Sequence, residues 1–172
     1  MLVMKFGGAS VKNPEAIRNV AAILNHFDKE AILVVISAID KTTNHLEMLA
    51  HLARDGKEEE SLKQYEKVKS FHMQLVQDLW GDEKAAGVLA KVSSLLREVE
   101  RIVQGILLLE EFPARTYDRI VSYGEVLSTT IISEYLRLSG RNVSWADARS
   151  LVKTDANYKQ AGVIWSLTEE NI

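Results

Sequence analysis

The sequence predicts an α/β protein built on a mostly parallel sheet. A short apolar run over residues 3–6 is followed at once by a glycine pair, and a second run over residues 31–36 is apolar at every position. An uninterrupted apolar run is typical of a parallel strand that is covered on both faces. Helical patterns follow both runs, so the chain opens as two strand–loop–helix units. The two loops are expected to meet at the carboxyl edge of the sheet, where open α/β sheets bind ligands.

The first two helices are predicted from apolar residues that recur at helical spacing. Asn13 is expected to cap the first helix, with Pro14 at its first position. The buried stripe of this helix is predicted to be Ile17, Val20, Ala21 and Leu24. Asn44 and Glu47 have the spacing of a capping box at the start of the second helix. The buried residues of that helix are predicted to be Leu46, Leu49, Ala50 and Ala53.

The middle of the chain is predicted to be a helical hairpin over residues 58–109. Apolar residues repeat at steps of three and four on both sides of a turn at Gly81. The alternative is a coiled-coil interface with another subunit, but about three heptads are barely enough for that, so an internal hairpin is favoured. A further helix over residues 120–138 is expected to stop at Gly140. A third strand over residues 141–146 is predicted next, and then a loop with at most a short strand.

The composition is that of an ordinary soluble globular domain. The 172 residues are 47% hydrophobic and 26% charged, and the formal net charge of −3 gives no basic surface for nucleic acid. The lack of cysteine excludes a disulfide framework and a thiolate metal site, and the four histidines lack ligand-like spacing, so no metal site is predicted. No apolar stretch is long enough to span a membrane, and we expect a cytoplasmic protein.

The loop after the first strand is a candidate phosphate site. Lys5 lies one residue before the end of the first apolar run, Gly7 and Gly8 follow the run at once, and a helix start lies a few residues further on. Glycines let backbone N–H groups approach an anion and adopt positive φ, and a lysine adds a compact positive charge. The alternative is a tight strand-to-helix turn beside a lysine that reaches into solvent. Lys-x-Gly-Gly alone favours that alternative, because short glycine motifs often occur by chance.

The loop after the second strand carries hydroxyl groups. Ser37 follows the strand directly, and Thr43 lies at the start of the next helix. Hydroxyl groups in these two places can hold a carboxylate or a phosphate. The alternative is that Thr42, Thr43 or Asn44 only caps the helix, and without further information this alternative is preferred.

Glu125 is an unusual residue for its surroundings. It lies within residues 122–128, a stretch of otherwise apolar and small residues in a predicted helix. A buried carboxylate is costly unless it has a partner. The partner is either a structural arginine, such as Arg119 or Arg149, or the ammonium group of a ligand.

Four segments, in order along the chain, resemble the motifs of aspartate kinases. Residues 5–11 read Lys-Phe-Gly-Gly-Ala-Ser-Val and resemble the opening Lys-Phe-Gly-Gly-Thr-Ser-Val of that family. Residues 34–44 look like the second motif, and residues 121–128 are similar to its Ser-x-Gly-Glu-x-x-Ser motif. Residues 147–155 are similar to a further stretch of the family. Four matches in the correct order are far more specific than one, and they favour the phosphate interpretation of Lys5.

The resemblance implies the amino-acid-kinase fold, a three-layer α/β/α sandwich with a helical hairpin insertion. Residues 1–172 would be the N-terminal portion of the catalytic domain, without the nucleotide half and the regulatory domains. By this likeness Lys5 is catalytic and contacts the phosphates of ATP. The residues implied to bind the nucleotide are Lys5, Phe6, Gly7, Gly8 and Ser10. Those implied to bind the amino acid are Ser37, Thr43 and Glu125, with Glu125 holding the α-ammonium.

The implied reaction transfers the γ-phosphoryl group of ATP, with Mg²⁺, to the side-chain carboxylate of L-aspartate, the first step toward lysine, threonine and methionine. A free carboxylate has a pKa of about 4, so it needs no general base. The full-length protein is expected to be a homo-oligomer that binds neither nucleic acid nor a membrane. The later glycine-rich motif of the family is missing from these 172 residues, so we expect them to be inactive alone.

Two residues depart from the family pattern, and two other functions compete. Ala9 replaces the usual threonine, and Asp40 stands where a small residue is common. A carboxylate at Asp40 would lie close to an anionic substrate, so it is expected either to face solvent or to mark an altered loop. The competing functions are another amino-acid kinase, of the acetylglutamate or glutamate kinase type, and a non-catalytic small-molecule-binding module.

Overall fold

Two parallel strands, β1 (Leu2–Phe6) and β2 (Ile32–Ile36), form the sheet. They pair in register, with Leu2 opposite Ile32 and Phe6 opposite Ile36. The structure, a computed structural model, describes the backbone of all 172 residues and every side chain except those of residues 82–84. The predicted parallel sheet is therefore confirmed, and both strands end at the same edge.

The two faces of the sheet differ in how they are covered. One face packs on the hydrophobic core through Met4, Phe6, Ile32, Val34 and Ile36. On the other face Val3 is 63% exposed, Leu33 50% and Val35 46%. The prediction that β2 is covered on both faces is thus wrong for the chain as described, because its helices cover one face of the sheet.

The first helix begins as the sequence predicts. Helix α1 spans Pro14–Asn25 and follows a 3₁₀ turn at Gly8–Val11. The side-chain oxygen of Asn13 accepts a hydrogen bond from the backbone N–H of Ala16 at 2.9 Å, so the predicted cap is confirmed. The predicted stripe of Ile17, Val20, Ala21 and Leu24 is buried.

The second helix begins earlier than predicted. Helix α2 spans Thr42–Arg54, which places Asn44 inside the first turn, so the capping box of Asn44 and Glu47 is wrong. The physical reason is that the Thr42 hydroxyl donates to the carbonyl of Ile39 at 2.6 Å, and this bond turns the chain into the helix two residues before Asn44.

The next two helices cover the range for which the sequence predicts a hairpin. Helix α3 spans Glu58–Trp80 and α4 spans Asp82–Leu109, with Gly81 between them at φ 71°. The apolar residues of the α4 seam are buried inside the chain, which favours the internal hairpin over a subunit interface. They include Val88, Val92, Val99 and Ile106, whereas Leu95 and Ile102 of the same predicted seam are half-buried.

Helix α5 spans Ala114–Leu138 and packs against both α2 and α4. Gly140 ends it at φ 92°, and the backbone N–H of Arg141 donates to the carbonyl of Leu136 at 3.1 Å, so the predicted stop is confirmed. The third strand predicted over residues 141–146 is wrong. This segment has no strand partner, and its Arg141 guanidinium instead donates to the carbonyl of Leu24 at the end of α1.

The last part of the chain contains two short helices, α6 (Ala148–Leu151) and α7 (Trp165–Glu169). One isolated antiparallel bridge joins Thr154 to Val163, which matches the predicted loop with at most a short strand. Among the residues described, no helix combines the length and the apolar character needed to cross a bilayer.

Candidate active site

The side chain of Lys5 lies over the loop that follows β1. Its position in the strand places it on the exposed face of the sheet. Its Nζ atom is 3.9 Å from the point that a Cβ on Gly7 would occupy. The ammonium group and the backbone of the glycine loop therefore lie together, which is the arrangement predicted from the sequence.

Gly8 is required by a close approach of two loops. A Cβ on Gly8 would lie 2.7 Å from the carbonyl oxygen of Ala38 and 3.1 Å from that of Asp40. The expectation that the glycine pair adopts positive φ is wrong, because Gly7 has φ −77° and the positive-φ glycines are at positions 56, 81 and 140. The absence of a side chain at Gly8 instead allows the first loop to contact the second.

Phe6 and Ser10 have mainly structural contacts. The Phe6 side chain packs on the core, and its carbonyl accepts a hydrogen bond from the backbone N–H of Ser37 at 3.1 Å. Ser10 is exposed, and its N–H donates to the carbonyl of Gly7 at 2.9 Å, which closes the 3₁₀ turn. Of these two residues, only Ser10 has an exposed side chain, and its hydroxyl group lies near the loop.

The second loop leads into α2, and the name is used here for residues 37–43, which include the first two residues of that helix. No side chain caps this helix, and its first turn contains no acidic residue. The N-cap position is Lys41, and Thr42, Thr43 and Asn44 all lie inside the first turn, so the alternative that one of these three only caps the helix is wrong. Thr43 is half-buried there. The backbone N–H groups at the start of a helix carry a partial positive charge, and here that charge lies beside the loop.

Glu125 approaches the second loop from α5. Its Oε1 atom accepts a hydrogen bond from the backbone N–H of Ala38 at 3.3 Å. Among the side chains that the structure describes, no ion pair within 4.0 Å includes Glu125. Arg149, one of the two predicted partners, donates to Asp147 instead. The interpretation that Glu125 pairs with a structural arginine therefore finds no support.

Two neighbours of Glu125 on α5 complete the contact, and the sequence reasoning assigned neither of them a role. A Cβ on Gly124 would lie 2.9 Å from the Cβ of Ala38 and 3.2 Å from Oγ1 of Thr43. The hydroxyl of Ser128 donates to the carbonyl of Ser37 at 2.8 Å. The sequence does contain a signal for Ser128, because this serine, three residues after Glu125, interrupts an apolar helix face.

A network on the opposite side of α5 holds this part of the helix. The hydroxyl of Tyr123 donates to Glu98 of α4 at 2.6 Å, and burial raises the pKa of that hydroxyl. The guanidinium of Arg149 lies 5.3 Å from the centre of the Tyr123 ring. Hydrogen bonds from Arg149 lower the pKa of Asp147, so this pair stays ionised at neutral pH.

Ala38 is the residue at which the predicted site residues come together. Its carbonyl contacts Gly8 of the first loop, and its N–H contacts Glu125. Through Ala38, the glycine loop beside which Lys5 lies is therefore adjacent to the Glu125 carboxylate. A groove of about 520 Å³ lies elsewhere, between α4 and the start of α5, and is lined by residues such as Arg101, Gly105 and Arg119.

Comparison with known proteins places the chain in a family. The sequence model of the amino acid kinase family matches residues 1–172. The chain is 34% identical over 148 residues to chloroplastic aspartokinase 1 of Arabidopsis thaliana and 32% identical to chloroplastic aspartokinase 2, which covers 85% of this chain in both cases. It spans about a quarter of the length of these curated relatives, 25% and 26%.

The fold matches that of a solved enzyme. Aspartokinase III of E. coli, determined in complex with aspartate and ADP, superposes on 99% of this chain with a TM-score of 0.87 at 24% identity. The match covers 36% of the E. coli chain, and it confirms the predicted fold class. From the match over its whole length, this chain belongs to the amino acid kinase family.

Proposed function

We propose that this chain is the N-terminal part of the catalytic domain of an aspartate kinase, with ATP and L-aspartate as substrates. The observation that carries the proposal is the double contact of Ala38, with Gly8 on the phosphate side and with Glu125 on the amino-acid side. Two substrates bound at these two places would be adjacent. The relatives that match the chain, aspartokinases 1 and 2 of Arabidopsis thaliana, support this substrate pair.

The phosphates of ATP are assigned to the first loop. Lys5 supplies the positive charge, and the backbone around Gly7 and Gly8 supplies N–H donors close to it. Ser10 adds an exposed hydroxyl at the same turn, and Phe6 fixes the strand end by its packing on the core. The requirement for glycine at position 8 fits this assignment, because a side chain there would fill the space between the two loops.

L-Aspartate is assigned to the second loop and α5. Glu125 accepts one long hydrogen bond from Ala38, which leaves most of the acceptor capacity of its carboxylate for the α-ammonium group. Thr43 and the uncapped N-terminus of α2 can hold a carboxylate, and Ser37 lies at the strand end beside them. The ammonium group of the substrate is thus paired with the Glu125 carboxylate, and a substrate carboxylate is paired with the N–H groups at the start of α2.

In the proposed reaction an oxygen of the aspartate side chain attacks the γ-phosphorus of ATP, and the bond from that phosphorus to the β-γ bridging oxygen breaks. The products are an acyl phosphate and ADP. The attacking carboxylate is already ionised at neutral pH, so the barrier is the repulsion between two anions. Lys5 and the backbone N–H groups lower that repulsion, and Glu125 orients the amino acid without moving a proton.

Mg²⁺ is proposed to arrive with ATP, bound through its phosphate oxygens. Among the described residues, no group of three or more His, Asp or Glu side chains is arranged to hold a metal ion. We therefore assign no side chain of this chain to the ion. The homo-oligomeric state, the cytoplasmic location and the inactivity of residues 1–172 alone stay as predictions.

A trapping assay tests the proposal. The full-length protein that contains this chain is incubated with ATP, Mg²⁺ and L-aspartate in the presence of hydroxylamine, which converts an acyl phosphate into a hydroxamate that gives a coloured complex with Fe³⁺. We expect hydroxamate with L-aspartate and none with L-glutamate or N-acetylglutamate. Product with either glutamate compound and none with aspartate would favour the other amino-acid kinases, and no product with any of them would favour the binding module.

A further inference from the structure

We propose that Ser128 is a positioning residue, which holds the second loop in the conformation that binds the amino acid. The expected effect on amino-acid binding rests on the proposed function, whereas the hydrogen bond from which the inference starts does not depend on that function. Ser128 is fully buried, and its hydroxyl lies 2.8 Å from the carbonyl oxygen of Ser37, 91 positions earlier in the chain. A hydrogen bond between residues so far apart joins two elements and does not serve the helix alone.

The hydroxyl has two acceptors within reach, and Ser37 is the better one. The hydroxyl oxygen of Ser128 is also 3.0 Å from the carbonyl oxygen of Glu125, three residues earlier in the same helix, which is the usual kind of acceptor for a serine inside a helix. The hydroxyl of Thr129 already donates to that same carbonyl at 2.7 Å. Because a serine hydroxyl carries one hydrogen, the shorter bond to Ser37 uses it, and the carbonyl at the end of β2 is satisfied.

The contact of Ser128 lies beside that of Glu125. Helix α5 reaches the loop at two consecutive backbone groups, the carbonyl of Ser37 through Ser128 and the N–H of Ala38 through Glu125. The Ser128 bond is the shorter of the two, 2.8 Å against 3.3 Å. If Glu125 turns to bind an ammonium group, Ser128 keeps the loop in place.

This arrangement predicts a selective defect. Loss of the Ser128 hydroxyl leaves the carbonyl of the half-buried Ser37 without its donor, and the loop is expected to shift to find another. Ser37 and Thr43 would then be displaced relative to Glu125. The first loop, with Lys5, contacts the second loop at Gly8 and at the carbonyl of Phe6 but makes no hydrogen bond to Ser128 itself, so the KM for ATP is expected to change much less than the KM for aspartate.

The test compares Ser128→Ala with a matched control on the same helix, Ser133→Ala. Ser133 is half-buried, and its hydroxyl donates only to the carbonyl of Thr130, within its own turn, at 3.0 Å. In the full-length protein we expect Ser128→Ala to raise the KM for aspartate by about tenfold, the factor that corresponds to one lost hydrogen bond. The KM for ATP and kcat at saturating aspartate are expected to stay within about twofold. Ser133→Ala is expected to match the wild type.

A second measurement does not depend on activity. Hydrogen–deuterium exchange of residues 37–43 is expected to be about tenfold faster in Ser128→Ala and unchanged in Ser133→Ala. Ser128→Cys, which keeps a weak donor of similar size, is expected to lie between wild type and alanine and replaces it if the alanine variant does not fold. Unchanged exchange in both Ser128 variants, or equal changes in the KM values of both substrates, would overturn the proposal. A wild-type protein without aspartate kinase activity would refute the proposed function, and the exchange result would still decide the role of Ser128.

Discussion

Two regions of the molecule are packed by different kinds of contact. One is the strand-end region, which consists of Gly8, residues 37–43 and residues 124–128, and the other is the helical hairpin of α3 and α4. In the strand-end region a Cβ on Gly8 or Gly124 would collide with atoms 2.7 and 2.9 Å away. In the hairpin, a Cβ on Gly105 meets nothing within 4 Å. The hairpin is held by buried apolar side chains such as Val92 and Val99. The strand-end region depends on close backbone approach, so it should tolerate less change.

The largest effect is expected from Lys5→Ala in the strand-end region. Removal of one group that stabilises charge in the transition state typically lowers kcat by about 100- to 1000-fold. The KM for aspartate should change little, because Lys5 is assigned to the phosphates. Steady-state kinetics of the full-length protein measures both quantities. Lys12→Ala, an exposed lysine just beyond the same loop, is the control and should retain activity. A Lys5 variant with unchanged kcat and a raised aspartate KM would reverse the assigned roles.

Gly124→Ala should have the next largest effect, and it tests directly whether the strand-end region depends on close backbone approach. The new Cβ would lie 2.9 Å from that of Ala38, and overpacking of this kind costs about 1–3 kcal/mol in the free energy of unfolding. The aspartate KM should rise as well, since the second loop must move. Urea unfolding and steady-state kinetics measure the two effects.

Two further variants make the Gly124 prediction specific. Ala38→Gly removes the colliding atom, so the double variant should recover part of the lost stability. Gly105→Ala in α4 should be neutral or stabilise by up to about 1 kcal/mol, because it adds helix propensity in open space. Equal effects of Gly124→Ala and Gly105→Ala on stability would mean that the two regions do not differ.

His72 gives the hairpin a pH-dependent stability. It is fully buried, its Nδ1–H donates to the carbonyl of Val68 at 2.7 Å, and its Nε2 has no hydrogen-bond partner. Burial lowers its pKa to about 4 from 6.5. The unfolded chain therefore takes up the proton first as the pH falls, and stability is lost progressively between about pH 6.5 and 4.

The variant His72→Leu tests this pH dependence. Between pH 7 and pH 4.5 the wild type should lose about 2 kcal/mol more in the free energy of unfolding than His72→Leu, as follows from the two pKa values. Urea unfolding at the two pH values measures the difference, and His26→Leu at the exposed end of α1 is the control. Parallel curves for wild type and His72→Leu would contradict the assignment of a neutral, buried His72.

The smallest effect is expected from Asp40→Gly. Asp40 adopts φ 48°, a left-handed conformation that costs about 1–2 kcal/mol for most residues and less for aspartate. Glycine removes this strain but gains entropy in the unfolded state, so the net stabilisation should be about 0.5–1 kcal/mol. Thermal unfolding measures it. Glu110→Gly, at φ 53° just after α4, should be stabilised in the same way, because its backbone has the same left-handed conformation. Destabilisation by Asp40→Gly would mean that its side chain makes a contact that outweighs the strain.

Local signals allowed much of the fold to be predicted. The Asn13 cap, the buried stripe of α1 and the stop at Gly140 depend on neighbouring residues, and all three are confirmed. The strand predicted over residues 141–146 is wrong because strand pairing needs a distant partner, which residue pattern alone does not reveal. The start of α2 was missed because Thr42 bonds to Ile39, a choice that the sequence leaves open among three adjacent polar residues.

The sequence proposes the members of the candidate site but not the contacts between them. Lys5, Gly8, Thr43 and Glu125 were selected by residue type and by the family resemblance, and they lie at one edge of the sheet. The reason for glycine at position 8 could not be predicted, since it is the carbonyl of Ala38, 30 positions away, that excludes a side chain. The role of Ser128 was hidden for the same reason, because its acceptor lies 91 positions earlier.

The binding of L-aspartate by Glu125→Gln, measured by isothermal titration calorimetry on the full-length protein, tests the central proposal most directly. Glutamine still accepts the hydrogen bond from Ala38, so the loop is kept while the charge that would hold the ammonium group is removed. Glu47→Gln is the matched control, because Glu47 is also half-buried and accepts one hydrogen bond, from Tyr117 at 3.0 Å. We expect the Kd for aspartate to rise at least about tenfold in Glu125→Gln, as for the loss of one charge-assisted hydrogen bond, and to stay unchanged in Glu47→Gln. An unchanged Kd in Glu125→Gln would contradict the assignment of this edge of the sheet as the amino-acid site.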